Sequence, residues 1–143
     1  MHLKSLCESY MKQIRCVLEM AVPAWDGSII LREKVQIERV QKCAFHIILS
    51  GSYNSYENAL GQLNLETLEE RRFNLSLKFA LKAERSPKFK SWFKPNPKFQ
   101  NSRTIQPKYC PVAFKHDRLK KSPIGYLTNI LNAHYSSHKS KKT

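Results

Sequence analysis

The chain predicts a mostly α fold: a small bundle of about four helices, then a proline-rich basic irregular arm, then a short C-terminal helix. Three observations lead there. Through residue 85, apolar side chains recur at steps of three and four, the period of one helix face. Six of the seven prolines fall between Pro87 and Pro123. Charge divides at nearly the same place. Residues 1–82 carry 11 Lys and Arg against 9 Asp and Glu, whereas residues 83–143 carry 14 against 2, so +12 of the net +14 sits in the second part. The predicted organisation is a helical domain over 1–85, an arm over 86–121, and a short helix with a basic tail over 122–143. A length of 143 residues supports one modest core.

Each element has a local reason. Leu3, Leu6, Tyr10, Ile14, Val17 and Ala21 line one face of a first helix over about residues 2–21. Pro23 disfavours helical backbone at Val22, so the helix is expected to stop there, and Asp26-Gly27-Ser28 makes a turn. Ile30, Ile37, Val40, Ala44, Ile47 and Ile48 predict a second helix over about residues 29–49, with Glu38 and Lys42 in the favourable order. Ser55 reads as the N-cap of a third helix that buries Tyr56, Ala59, Leu60 and Leu63. Thr67-Leu-Glu-Glu70 reads as a capping box, in which hydroxyl and carboxylate satisfy each other's free backbone N–H groups. It opens a fourth helix through Phe73, Leu75, Leu77, Phe79 and Leu81 to about Arg85. The expected core is Leu6, Tyr10, Ile14, Val17, Trp25, Ile37, Val40, Ala44, Ile47, Leu60, Leu63, Phe73, Leu77 and Leu81. Beyond Ser86, prolines every few residues exclude a long helix and a central strand. Ser122-Pro123 then opens the last helix, with Ile124, Leu127, Ile130 and Leu131 on one side. From His134 onward the chain is polar and expected to fray.

Several chemistries are poorly supplied. A polymerase needs clustered carboxylates to hold two metal ions. The chain has two aspartates, Asp26 and Asp117, neither with an acidic neighbour, and Glu69-Glu70 is explained by capping. No catalytic residue, cofactor or metal is therefore expected, and the chain alone is not read as an enzyme. His134 and His138 lie four apart and could share a helix face, but structural zinc usually brings paired cysteines, so the solvent-exposed reading is preferred. Cys7, Cys16, Cys43 and Cys110 form no CxxC pair and read as free thiols of a reducing compartment. Cys16 and Cys43 stand beside apolar positions and are expected to be buried. Lys4, Glu8 and Lys12 interrupt any leader pattern, and no apolar run reaches membrane-spanning length. The expected setting is intracellular, nuclear or cytoplasmic, with no membrane partner.

The arm carries the one strong chemical pattern. Lysines and aromatics alternate there, and that combination suits RNA or DNA: cations contact phosphates and ring faces stack on unpaired bases. The phosphate candidates are Lys88, Lys90, Lys94, Lys98, Arg103, Lys108, Lys115, Arg118, Lys120 and Lys121. The stacking candidates are Trp92, Phe93, Phe99 and Tyr109. The competing reading is that these rings anchor an arm lacking regular hydrogen bonds to the helical core. Both hold if rings face inward and lysines outward.

A set of phrases adds a parentage. Residues 17–25 read VLEMAVPAW and residues 37–49 read IERVQKCAFHIIL. In this order, with 53–65 (YNSYENALGQLNL), 67–72 (TLEERR), 78–83 (KFALKA) and 106–110 (QPKYC), they resemble the segment after the reverse-transcriptase palm in non-LTR retrotransposon polymerases of the LINE and jockey type. The resemblance implies a helical, thumb-like extension that holds template and primer and does no bond-making itself. It also implies a palm as a possible protein partner. The chain departs from the pattern at Cys16, Met20, Ala24, Cys43 and His46. The last two stand where arginine is common, which weakens phosphate contact by the second helix. The alternative function is a protein-interaction or scaffold remnant whose apolar face packed on that palm, or an expressed fragment with no function.

Overall fold

Helices form nearly everywhere the apolar period asked for them, but several present a different face to the core. The computed structural model describes residues 3–99, 106–112 and 121–140. These residues are mostly helical, and no strand occurs among them. Helix α1 covers residues 3–18 as three abutting pieces: α-helical Leu3–Ser9, π-helical Tyr10–Arg15 and α-helical Cys16–Leu18. Helix α2 is the single turn Val22–Trp25. Helix α3 is Leu31–Leu49, α4 is Tyr56–Leu63, α5 is Leu68–Arg85 and α6 is Pro123–Ser140. The chain divides into two compact units, one of residues 1–22 and 29–73, the other of residues 23–28 and 74–143.

The first unit packs Tyr10 of α1, Phe45, Ile48 and Leu49 of α3 and Ala59 of α4 into one apolar cluster. Phe45 is fully buried, with Tyr10 edge-on at 5.9 Å and Tyr56 stacked at 5.8 Å between ring centres. A polar residue sits at its heart. Gln41 is completely buried because each end of its amide is occupied: Oε1 accepts from Tyr10 Oη at 2.7 Å, and Nε2 donates to Tyr56 Oη at 2.9 Å and to the Glu66 carbonyl at 3.1 Å. Tyr56 Oη in turn donates to Glu38 Oε1, which also accepts the Leu68 backbone N–H at 3.2 Å. Burial pushes the Tyr10 hydroxyl up to about 12, which keeps it a donor. An ionic lattice lies alongside. Glu19 accepts from Arg15 Nε at 2.7 Å and Arg71 Nε at 2.8 Å, and Arg71 also reaches Glu66 at 3.3 Å.

The second unit is centred on Ala80 and Ala83 of α5, Phe93 and Tyr109 of the arm, and Leu127 and Leu131 of α6. Gly27 belongs to it through a close approach: a Cβ there would lie 2.6 Å from Tyr126 Cβ, so the position admits no side chain unless Tyr126 shifts. Tyr126 Oη donates to Asp26 next to it.

Local signals act as expected at several ends. Ser55 Oγ accepts the Asn58 N–H at 3.2 Å and caps α4, which closes on Asn64 in the left-handed region. Thr67 Oγ1 accepts the Glu70 N–H at 3.1 Å, but the Glu70 carboxylate takes the Thr67 hydroxyl proton rather than its backbone N–H. The first break is not at Pro23. Helix α1 ends before Ala21, whose φ of 53° is left-handed, and Pro23 instead sits in the first turn of α2, where its missing N–H costs nothing.

The expected core is corrected at five positions. Ile14, Val17, Val40, Ile47 and Phe73 are exposed, Val17 and Ile47 by 61% and 69%. In α1 the π segment is the cause. Its i to i+5 bonding widens each turn, so the residue below buried Tyr10 is Arg15, not Ile14. In α3 the buried face runs through Gln41, Phe45, Ile48 and Leu49, rotated away from Val40 and Ile47 to serve the tyrosine hydroxyls. Cys16 and Cys43 move outward with these rotations and are exposed rather than buried. The last helix is longer than expected: it runs unbroken to Ser140 because nothing after Gly125 interrupts it.

Gln41→Leu keeps the shape of the side chain but strands the Tyr10 hydroxyl and the Glu66 carbonyl. It should cost about 1–3 kcal/mol of unfolding free energy, read as a lower urea midpoint. A change within about 0.5 kcal/mol would contradict the role assigned to this amide.

Candidate nucleic-acid interface

The described parts of the arm between α5 and α6, residues 86–99 and 106–112, lack a helix beyond a single 3-10 turn because prolines remove backbone donors, and they are held by a few specific pairings. A 3-10 turn covers Lys90–Trp92. An isolated antiparallel bridge then joins Pro95 to Tyr109. Around it Cys110 N–H donates to the Lys94 carbonyl at 2.9 Å and Asn96 N–H to the Lys108 carbonyl at 2.9 Å. Asn132 of α6 supplies both backbone partners of Tyr109: its Oδ1 accepts the N–H at 2.9 Å and its Nδ2 donates to the carbonyl at 3.0 Å.

Glu84, near the C-terminal end of α5, is the hub of this region. Its Oε1 accepts from Lys108 Nζ at 2.7 Å and from the Tyr109 hydroxyl, and its Oε2 accepts from Tyr135 Oη at 2.8 Å. Lys108 Nζ also lies 3.6 Å from the Tyr135 ring centre, over its face. Burial alone would raise the Glu84 pKa. The hydrogen bonds from Lys108, Tyr109 and Tyr135 outweigh it and hold the carboxyl below its ordinary 4.5. Burial would lower the Lys108 pKa, but Glu84 and Tyr135 raise it instead, so the ammonium stays charged. Burial and Glu84 push the Tyr109 hydroxyl up to about 12.

The candidate residues divide by direction. Lys88, Lys90, Lys94, Lys98 and Lys121 are exposed, and none of the five forms an ion pair among the described residues. Lys108 is different, because its charge is matched by Glu84. Phe93 and Tyr109 are 4% and 7% exposed and pack on each other at 5.6 Å, which leaves no ring face for a base. For these two rings the anchoring reading replaces stacking. Trp92 is half-buried, edge-on to Phe89 at 4.8 Å, and Phe99 is half-buried as well. Arg103, Lys115, Arg118 and Lys120 lie outside the described residues.

Sequence pattern alone does not single out two features of the site. Lys78, Lys82 and Arg85 of α5 are all exposed and repeat at four and three residues, so they extend one face of the helix with positive charge. That spacing was available to be read. Glu84 was also visible as an acid in a basic stretch, although its three partners were not. Among the described residues no group of three or more His, Cys, Asp or Glu could hold a metal ion, and no helix is long and apolar enough to cross a membrane.

Comparison with protein-family models, with curated proteins and with solved structures returns no match to this chain.

Because the folded carboxyl of Glu84 titrates below its ordinary value, it stabilises the fold above that value and loses its contribution as pH falls through its folded pKa. Glu84→Gln should therefore lower the urea midpoint at about pH 7. The gap to the parent should shrink as pH is taken toward about 3. A gap that stays constant over that range would contradict the assignment.

Proposed function

We propose that this chain is the post-palm, thumb-like portion of a non-LTR retrotransposon reverse transcriptase, and that it binds RNA or DNA without catalysis of its own. The observation that carries the binding is the charge arrangement of the second unit. Five arm lysines face solvent without an ion pair among the described residues, α5 adds Lys78, Lys82 and Arg85, and the Glu84 carboxylate is already engaged by Lys108. Such a surface attracts a polyanion by releasing its counterions, with little dependence on base sequence. The parentage rests on the ordered phrases between residues 17 and 110, and it makes template and primer the relevant polyanions.

A second reading is favoured by a separate observation in the first unit. Ile14, Val17 and Met20, with Leu31, Val35, Ile47 and Phe73, are large apolar side chains between 44% and 77% exposed. Faces of that kind are normally covered in use. A polymerase palm is the cover that the parentage supplies, and this reading is compatible with nucleic-acid binding by the second unit. If it holds, the chain alone self-associates, and Val17→Lys with Ile47→Lys restores a monomer in light scattering. A monomeric parent chain at about millimolar concentration would count against it.

Filter binding of a single-stranded oligonucleotide over a salt series tests the first reading. Micromolar affinity at low salt should fall steeply as salt rises. Replacing Lys88, Lys90, Lys94 and Lys98 by Gln should reduce the slope by about 0.7 for each phosphate that is no longer neutralised. No binding even at low salt would sink the proposal.

A further inference from the structure

The arm and α6 enclose a cleft of about 360 Å³ lined by Ser91, Trp92, Lys94, Cys110, Pro111, Val112 and Ile124. That volume is at the lower end of small-ligand sites. Its chemistry is selective. Trp92, Pro111, Val112 and Ile124 give it an apolar side, and Ser91, Cys110 and Lys94 add polar groups. Among the described residues that line it, Lys94 is the charged one, and none is a carboxylate. Its walls are fixed before any ligand arrives. The Cys110 N–H to Lys94 carbonyl bond ties the two arm segments across the cleft, the Asn96 to Lys108 bond repeats the tie two residues on, and Phe89 braces Trp92 from one side. The ring packs against the core of the second unit but stays only half-buried, unlike Phe93 and Tyr109.

We infer that this cleft takes one unpaired base of a single-stranded nucleic acid, stacked on Trp92, with Lys94 on the adjoining phosphate. A flat aromatic guest matches the Trp92 indole and the apolar side. Its attached anion matches Lys94 in the lining and the exposed Lys88, Lys90 and Lys98 of the same stretch of chain. A paired base cannot enter, because its faces are already stacked, so the cleft confers a preference for single strands that the lysines alone do not. This inference rests on the nucleic-acid reading above and adds to it the form of nucleic acid preferred.

The test compares a single-stranded oligonucleotide with a duplex carrying equal charge, by fluorescence anisotropy on the full chain at fixed salt. The intact chain should prefer the single strand. Trp92→Leu should weaken single-strand binding about tenfold and leave duplex binding and the salt slope unchanged. Because Trp92 also packs on Phe89, a second measurement uses the unaltered chain. The single strand, but not the duplex, should slow alkylation of Cys110 by iodoacetamide, with exposed Cys16 and Cys43 as internal references. Equal binding of both forms with no protection of Cys110 would overturn the cleft assignment and leave the basic-surface reading standing. Failure of the intact chain to bind either form would overturn both.

Discussion

Everything in the second unit leans on one carboxylate. A glutamate in the last turn of a helix is ordinarily disfavoured, because the helix dipole places partial negative charge at that end, by about 0.3–1 kcal/mol. Glu84 is there nonetheless, since three donors from two other segments converge on it: Lys108 and Tyr109 from the arm and Tyr135 from α6. An arm interrupted by prolines cannot hold itself with a ladder of backbone bonds. It is held instead at a few points where polar and aromatic groups coincide, and Glu84 is the point common to all three segments. Asn132 completes the attachment by pairing with both backbone groups of Tyr109. The consequence for function is directional. Once Tyr109 and Phe93 are pinned inward, Lys94 and its neighbours are left facing water.

The first unit shows the same preference for buried polar contacts over a purely apolar seam. Gln41 links Tyr10, Tyr56 and the Glu66 carbonyl, and Arg15, Glu19 and Arg71 form a charged lattice beside it. A buried polar network is favourable only where its members are paired, and each end of the Gln41 amide is. That requirement explains the two rotations that expose Ile14, Val17 and Ile47. The helices turn to bring hydrogen-bonding groups together, and apolar side chains that a 3.6 period would bury are carried outward.

How much of this could be read from the residues follows from range. Caps are local: Ser55 with Asn58 and Thr67 with Glu70 are three residues apart, and both were legible. Helix existence was legible from period, and so was the apolar side of α6 at Leu127, Ile130 and Leu131. Facing was not, because a π segment in α1 and a glutamine at the centre of α3 leave no apolar trace. The candidate site divides the same way. Lys88, Lys90, Lys94 and Lys98 are exposed, as the reading with lysines outward expects, even though Glu84 stands only four residues before Lys88. Lys108 looked identical to them, and only the fold brings Glu84 to it from 24 residues away.

The described arm, residues 86–99 and 106–112, is a fixed support clamped through Glu84 rather than a solvated tail. Amide hydrogen exchange on the full chain tests it most directly. The N–H groups of Tyr109, Cys110 and Asn96, each bonded to another segment, should exchange about as slowly as those in the middle of α5, and Glu84→Ala should speed these three first. Exchange at these amides as fast as in an unstructured peptide, in the unaltered chain, would contradict the account.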